Sequence, residues 1–370
     1  MLHAKNMDLT VDRLQRASSR QADVISFAGG LPDASLFPRT ALHAAFGLAM
    51  AGPSLQYDWP EGDEMLRSWI ADRLCSRGML LRASDVIVTS GAQQALAIVT
   101  SLLVRAGDSV EVDAETYPAA LDLFRNAGAT LVTPGAGSGH HAFSYVMPGV
   151  SNPTGLPLTG ARIDTLLASE APIVADEAYA ELRFDGVAPV ALAALEPSRV
   201  WHVGSFSKTL CPGLRIGYLV PPPHAREEAL QAKRDADLQA GTLSQSMLAH
   251  LLACDDFDAR LERGREVYRR RAERMMEALR DELPSSFRFR MPEGGFSVWI
   301  ECDERRDDVG LLRSAIAHGV SFDPGHLFRA HDDARLAMRV CYSSAPVERF
   351  REGARRLRQA IEDREARVAA

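Results

Sequence analysis

Residues 86–104 read Val86-Ile87-Val88-Thr89-Ser90-Gly91-Ala92-Gln93-Gln94-Ala95-Leu96-Ala97-Ile98-Val99-Thr100-Ser101-Leu102-Leu103-Val104. Four residues that favour extended backbone meet a Ser-Gly turn, and a helical run follows from Gln93 to Val104. That is the strand-turn-helix part of a βαβ unit. The alternation continues outward: Val110–Val112 as strand, Ala119–Asn126 as helix, then strands at Thr130–Val132, Ile173–Ala175, Val200–Val203 and Ile216–Val220. Strands separated by helices imply an α/β fold with a mostly parallel central sheet flanked by helices on both faces. In such sheets a ligand sits beyond the carboxyl ends of the strands.

The tail has a different rhythm. Phe257 to Leu283 is charged and helix-friendly, is stopped by Pro284 and is long enough to bridge two domains. A strand at Phe296–Ile300, a helix near Val309–His318, a strand at Leu336–Val340 and a final helix from Val347 give an α+β pattern. The expected division is an N-terminal arm with part of a small domain (1–45), a large domain (46–265), and an interdomain helix with a C-terminal small domain (266–370).

The chain has 370 residues, 46% hydrophobic and 25% charged, with a formal net charge of -7. This favours neither nucleic acid nor an anionic membrane as a partner. The longest apolar stretch, Ala95 to Val104, is too short to span a bilayer, and no signal peptide is evident at Met1–Thr10. Five widely spaced cysteines form no CxxC pair, so neither a zinc site nor a disulfide framework is indicated, and a reducing cytoplasm is expected. Only Lys5, Lys208 and Lys233 are lysines among 42 basic residues. Arginine forms no carbonyl imine at neutral pH, whereas a desolvated lysine does.

The candidate chemistry follows the strand ends. Gly204-Ser205-Phe206-Ser207-Lys208 places a lysine just past a buried strand, with Arg215 seven residues on. Ser205 and Arg215 can grip a phosphate, although a turn with a surface lysine is equally ordinary. Ser90-Gly91-Ala92-Gln93 offers backbone N–H groups at a helix start to an anion, or is a plain βα turn. Asp176 follows three apolar residues. A buried carboxylate there needs a cation, such as a protonated pyridine nitrogen, or it caps a helix. Tyr179 can donate to a ring hydroxyl, Asn152 to a ring oxygen, and Tyr117 can stack on a flat ring or pack in a core. Arg339, inside an apolar strand, needs an anion: a substrate carboxylate or an internal partner.

Taken in order, these segments, together with Gln56-Tyr57-Asp58-Trp59-Pro60-Glu61-Gly62 and Asn152-Pro153-Thr154-Gly155, resemble the fold-type I pyridoxal 5′-phosphate (PLP) aminotransferases of class I/II. Ile25-Ser26-Phe27-Ala28-Gly29-Gly30-Leu31-Pro32-Asp33, Gln231 to Leu238 and Pro292-Glu293-Gly294-Gly295-Phe296 resemble the branch holding 2-aminoadipate and kynurenine aminotransferases. That branch also includes the aminotransferase-like half of MocR-type regulators. The resemblance begins almost at residue 1, so the DNA-binding domain of such regulators is not expected.

The resemblance implies that Lys208 forms the internal aldimine and Asp176 pairs with the pyridinium nitrogen. It implies that Tyr179 and Asn152 contact the ring hydroxyl, that Tyr117 stacks, and that the Gly91 turn, Ala92, Gln93, Ser205, Ser207 and Arg215 hold the phosphate. Tyr57 would reach the neighbouring subunit's phosphate, implying a homodimer with shared sites. Arg339 and Asn152, with backbone near Gly30, would bind the substrate α-carboxylate, and Arg13 falls roughly where a distal acid group would be held. Reversible transamination between an amino acid and a 2-oxo acid such as 2-oxoglutarate follows. Another PLP reaction, a non-catalytic sensor, or a nucleotide-binding α/β protein are the competing expectations; the last lacks GxGxxG and GxxxxGK[ST]. Two departures from the family pattern are a shortened stretch at 135–141 and bulky Trp59.

Overall fold

A computed structural model describes residues 11–18, 21, 23–136, 141–187, 189–305, 307–331 and 335–369. Its first strand, β1 (Ile25–Ser26), is followed by helices α1 (Arg39–Ala51) and α2 (Glu64–Cys75). Then come β2 (Ile87–Thr89), α3 (Ala92–Leu103), β3 (Ser109–Val112), α4 (Pro118–Asn126), β4 (Thr130–Val132) and β5 (Phe143–Val146). The middle continues with α5 (Gly160–Ala168), β6 (Ile173–Asp176), β7 (Val200–Ser205), β8 (Gly217–Val220), α6 (Arg226–Asp237), α7 (Thr242–Cys254) and α8 (Phe257–Glu282). The tail comprises β9 (Phe287–Phe289), β10 (Ser297–Arg305), α9 (Asp308–Ala317), β11 (Val320–Ser321), β12 (Asp323–Pro324), β13 (Arg335–Cys341) and α10 (Phe350–Ala369).

Seven strands form one sheet in the order β2-β8-β7-β6-β5-β3-β4. Strands β3 to β7 run parallel, and β8 is antiparallel to both β7 and β2. The reversal of β8 matters for position. Its first residues lie at the same sheet edge as the last residues of β2 and β7, so Arg215, Gly91 and Ser205 converge there. The strands β2, β5 and β6 are buried along their whole length, as a sheet covered on both faces requires.

A second sheet, β12-β13-β10-β9, is antiparallel throughout, and β1 pairs in parallel with β11. The 26 residues of α8, about 39 Å at 1.5 Å per residue, lead from the large sheet to this second one. Among the described residues no helix is long and apolar enough to cross a membrane.

Two details differ from the sequence reading. The first 45 residues read as an arm or irregular segment, yet α1 begins at Arg39 and packs against α7. Its run of Ala, Leu and Phe lacks the polar face that marks an amphipathic helix. The second strand of the tail extends to Arg305 rather than ending at Ile300, because charged Glu301 and Asp303 hide the β-period. Lys5 and residues 137–140 of the shortened stretch lie outside the described residues.

Candidate active site

Strand β7 delivers Lys208. Gly204 is required in it: a Cβ there would lie 2.0 Å from the Tyr218 ring. Beyond the strand the backbone turns, with the Ser207 N–H donating to Ser205 Oγ (3.1 Å). The Lys208 amine donates to the Gly30 carbonyl at 3.2 Å and lies 5.3 Å from the Tyr179 ring centre and 5.9 Å from that of Phe296. On its other side it borders a cleft lined by Asp33, Phe37, Leu182, Arg260 and Tyr268.

Asp176, the last residue of β6, is buried. It accepts from the Tyr145 hydroxyl (2.9 Å) and the Ala178 N–H (3.1 Å). Burial pushes its pKa up, with these two donors and Lys208 pulling the other way. No arginine, lysine or histidine forms an ion pair with Asp176 among the described residues. Its neighbour Glu177 is the opposite case. Burial raises its pKa, but Arg77 and His202 outweigh that and bring it down to about 2. Tyr117 is half-buried, and burial and the charge of Asp176 push its phenol up to about 12, which keeps it neutral.

The Ser90–Gln93 turn and Arg215 form a cradle. Gly91 has φ +90°, and a Cβ there would lie 2.8 Å from Arg215 Nη2. Arg215 itself has φ 55° and donates to the Ser90 carbonyl (3.1 Å). The N–H groups of Ala92 and Gln93 open α3, so helix geometry leaves them without partners inside the helix. An exposed guanidinium, two serine side chains and a helix start thus lie at one sheet edge, the kind of donors that an anion accepts from.

Arg339 comes from β13, in the second sheet. It donates through Nε and Nη2 to Asp323 (2.9 and 2.7 Å) and through Nη1 to Asn152 Oδ1 (2.7 Å). Burial lowers its pKa, but Asp323 outweighs burial and the net direction is up. With Oδ1 engaged, the Asn152 amide nitrogen is left as a donor. Gly30 has φ +57°, and a Cβ on it would meet Arg339 Nη1 at 3.2 Å, so the glycine lets backbone lie against the guanidinium. Gly30, Asn152, Tyr179, Phe296 and Arg339 line one small cavity.

The structure therefore gathers Gly30, Asn152, Tyr179, Lys208 and Arg339 on one side, and Gly91, Ala92, Gln93, Ser205, Ser207 and Arg215 along the sheet edge, with Asp176 and Tyr117 between. Tyr57 is not drawn in: it is 78% exposed in the single chain. Neither is Arg13. The helical segment 11–18 does approach the site, since Gln15 donates to Asp323 Oδ1 (2.9 Å). Arg13 stands two residues away, about 200° around the helix, and is exposed. The sequence reading missed Asp323 and Tyr145. Asp323 carried the same signal as Asp176, an acid directly after buried residues, whereas Tyr145 looked like any core tyrosine.

The residues fit PLP. A buried carboxylate held, among the described residues, by two neutral donors carries a charge that a cationic ring nitrogen would match. The glycine-lined cradle suits a phosphate, and a lysine amine stands on the same face of the site.

The family model for aminotransferase class I and II matches residues 22–138 and 145–357. A 2-aminoadipate transaminase of Thermus thermophilus is 35% identical over 95% of this chain and 93% of its own length. Aromatic-amino-acid aminotransferase 1 of Thermococcus litoralis is 33% identical over 92% of this chain and 89% of its own. A crystal structure of an alpha-aminoadipate aminotransferase from Thermus thermophilus, complexed with N-(5'-phosphopyridoxyl)-L-leucine, superposes with a TM-score of 0.86, at 33% identity over 96% of this chain and 95% of that one.

Proposed function

Because this chain belongs to the class I and II aminotransferases, PLP-dependent enzymes of fold type I, we propose that Lys208 is the residue through which it exchanges an amino group between an L-α-amino acid and a 2-oxo acid. The observation that carries this is Asp176, buried without a paired cation on one side of the site, with the Lys208 amine close to the Tyr179 and Phe296 rings. When bound, PLP supplies an aldehyde that condenses with amines and a protonated ring that draws off the electrons of a breaking Cα–H bond.

The chain's own residues do the rest. Asp176 holds the ring N–H proton, and Tyr145 and the Ala178 N–H hold Asp176. Tyr179 and the Asn152 amide nitrogen donate to the ring hydroxyl oxygen, and Tyr117 covers the ring face. Ser205, Ser207, Arg215 and the N–H groups of Ala92 and Gln93 hold the phosphate. Arg339, the Asn152 amide and the backbone at Gly30 seat the substrate α-carboxylate, which sets the Cα–H bond toward Lys208. With the cofactor bound, the Lys208 amine would take up that Cα proton and give it back as the acid–base group.

A second copy of the chain completes the site in this reading. Leu55, Tyr57, Trp59 and Leu238 are all more than half exposed in the single chain, and burial of this apolar group against a partner would bring Tyr57 to the neighbouring phosphate. The described cysteines are not joined to one another by disulfides, in keeping with a reducing, cytoplasmic setting. The donor is a carboxylate-bearing amino acid, with 2-oxoglutarate the expected acceptor. The proposed division into 1–45, 46–265 and 266–370 draws support from the seven-stranded sheet formed before α8 and the four-stranded sheet formed after it.

The test is the absorption spectrum of the purified protein with PLP, followed while single amino acids are added, with release of the matching 2-oxo acid measured in parallel. Conversion to the pyridoxamine form with stoichiometric oxo acid is expected. Lys208→Ala should slow that conversion roughly 10²–10⁴-fold, the range for loss of a positioned acid–base group. A Lys208→Ala protein that turned over at the parent rate would remove the lysine from the reaction.

A further inference from the structure

Lys233 is fully buried, although nothing in the proposed chemistry uses it. Its amine bonds to Asp237 Oδ1 one helical turn later, at the end of α6. The other carboxylate oxygen, Asp237 Oδ2, accepts from Gln94 Nε2 (2.6 Å) and Ser90 Oγ (3.3 Å). Gln94 in turn accepts from the Ser90 N–H through Oε1 (2.7 Å), and the Ser90 carbonyl receives Arg215. The Ser90 N–H and hydroxyl thus lead back, through Gln94 or directly, to the Lys233–Asp237 pair, while the Ser90 carbonyl takes Arg215.

The same corner reaches the other way. Leu238 has φ 64°, a backbone conformation that L side chains rarely adopt. It turns the chain so that Gln239 accepts the Asp58 N–H at 2.6 Å, next to Tyr57. Six residues on, Gln245 accepts the Asp63 N–H (2.8 Å), closing the far end of the Tyr57 loop. A Cβ on Gly62 would lie 2.5 Å from that glutamine oxygen, so the loop is fitted closely to it.

We propose that Lys233, Asp237 and Gln239 are positioning residues that hold together the phosphate turn of a subunit's own site and the Tyr57 loop it lends to its neighbour. The proposal rests on the cofactor reading above. A buried ammonium paired to Asp237 fixes the carboxylate's rotamer. The carboxylate fixes Gln94 and Ser90, and the strained Leu238 fixes the direction in which Gln239 leaves. Displacing the pair loosens phosphate contacts without touching the ring or the lysine.

The readout is the ratio of two affinities, for PLP and for pyridoxal, which lacks the phosphate, measured on the full chain by absorption or fluorescence titration. Lys233→Met and Asp237→Asn should each weaken PLP about tenfold, the scale of one charge-assisted hydrogen bond, and leave pyridoxal within about twofold. Gln239→Ala, a change at a surface loop, should lower the PLP preference by a smaller factor of about three. Circular dichroism and sedimentation identify any variant that fails to fold, and Gln239→Ala then carries the test. Folded variants that keep the parent ratio, or that weaken PLP and pyridoxal equally, overturn the proposal. A parent protein that binds neither compound overturns the cofactor reading instead.

Discussion

Two buried aspartates, one in each main sheet, carry the same signal in sequence and meet opposite surroundings. Asp323 in the four-stranded sheet is held by Arg339, Gln15 and the Gly29 N–H. Asp176 in the seven-stranded sheet has, among the described residues, a tyrosine hydroxyl and a backbone N–H as its donors. A buried charge with an internal partner is already satisfied. One without a partner costs stability until something arrives to pair with it. The difference separates an aspartate that supports Arg339 from one whose charge has no internal match among the described residues.

The largest effect that could break this contrast is that of Asp176→Asn. Turnover should fall roughly 10²–10³-fold, as when one electrostatic partner leaves a reacting centre. The cofactor-free protein should melt no lower than the parent, because Asn keeps an acceptor for the Ala178 N–H and offers an amide N–H that the Tyr145 oxygen accepts, while removing an unpaired charge. The sign can be checked with pH. Burial raises the Asp176 pKa in the folded state, so the folded chain holds this proton more tightly than the unfolded one. The charge penalty is full in the neutral range and vanishes as pH falls below about 3.8, the ordinary aspartate value. The difference in melting temperature between Asp176→Asn and the parent should therefore shrink as the pH falls from 7 toward 4. A cofactor-free variant that melts well below the parent at pH 7 would make Asp176 a structural support like Asp323.

Asp323→Asn is the counterpart. It strands the Arg339 guanidinium, and the cofactor-free protein should lose about 3 kcal/mol in denaturant titration. The KM for the amino acid should rise through misdirection of Arg339, with PLP affinity changed little. Equal loss of PLP affinity would erase the division of labour between the two aspartates. The smallest expected effect is that of Tyr145→Phe. Removing one neutral donor should cost about 1 kcal/mol and push the Asp176 pKa further up, since that donor now lowers it. PLP affinity should weaken about fivefold, measured by fluorescence titration.

Much of this was legible in the residues. Val86–Thr89 with Gln93–Val104 announced strand, turn and helix, and β2 and α3 lie there to within a residue. Strand direction was not written locally: nothing in Ile216–Val220 says that β8 runs against its neighbours, because that depends on which sheet edge the chain returns from. The site divides in the same way. Lys208 and Asp176 stand at strand ends, where position alone draws attention. Tyr145 matters only because parallel pairing of β5 with β6 sets its side chain beside an acid 31 residues later. Arg339 stood out as a charge in an apolar strand, but its partner could be named only once β12 was seen to pair with β13. Arg13 shows the converse: the position along the chain was close, and the helical angle turned it outward.

Of the three lysines, one lies outside the described residues, Lys208 is partly covered within the site, and Lys233 is sealed inside its ion pair. The described surface thus carries its fixed positive charge on arginine. Reagents that acylate primary amines, which label most proteins indiscriminately, would find scarcely any target on the outside of this one. Labelling read at Lys208 itself, apart from Lys5 and the α-amine, then reports whether that amine is open to the reagent.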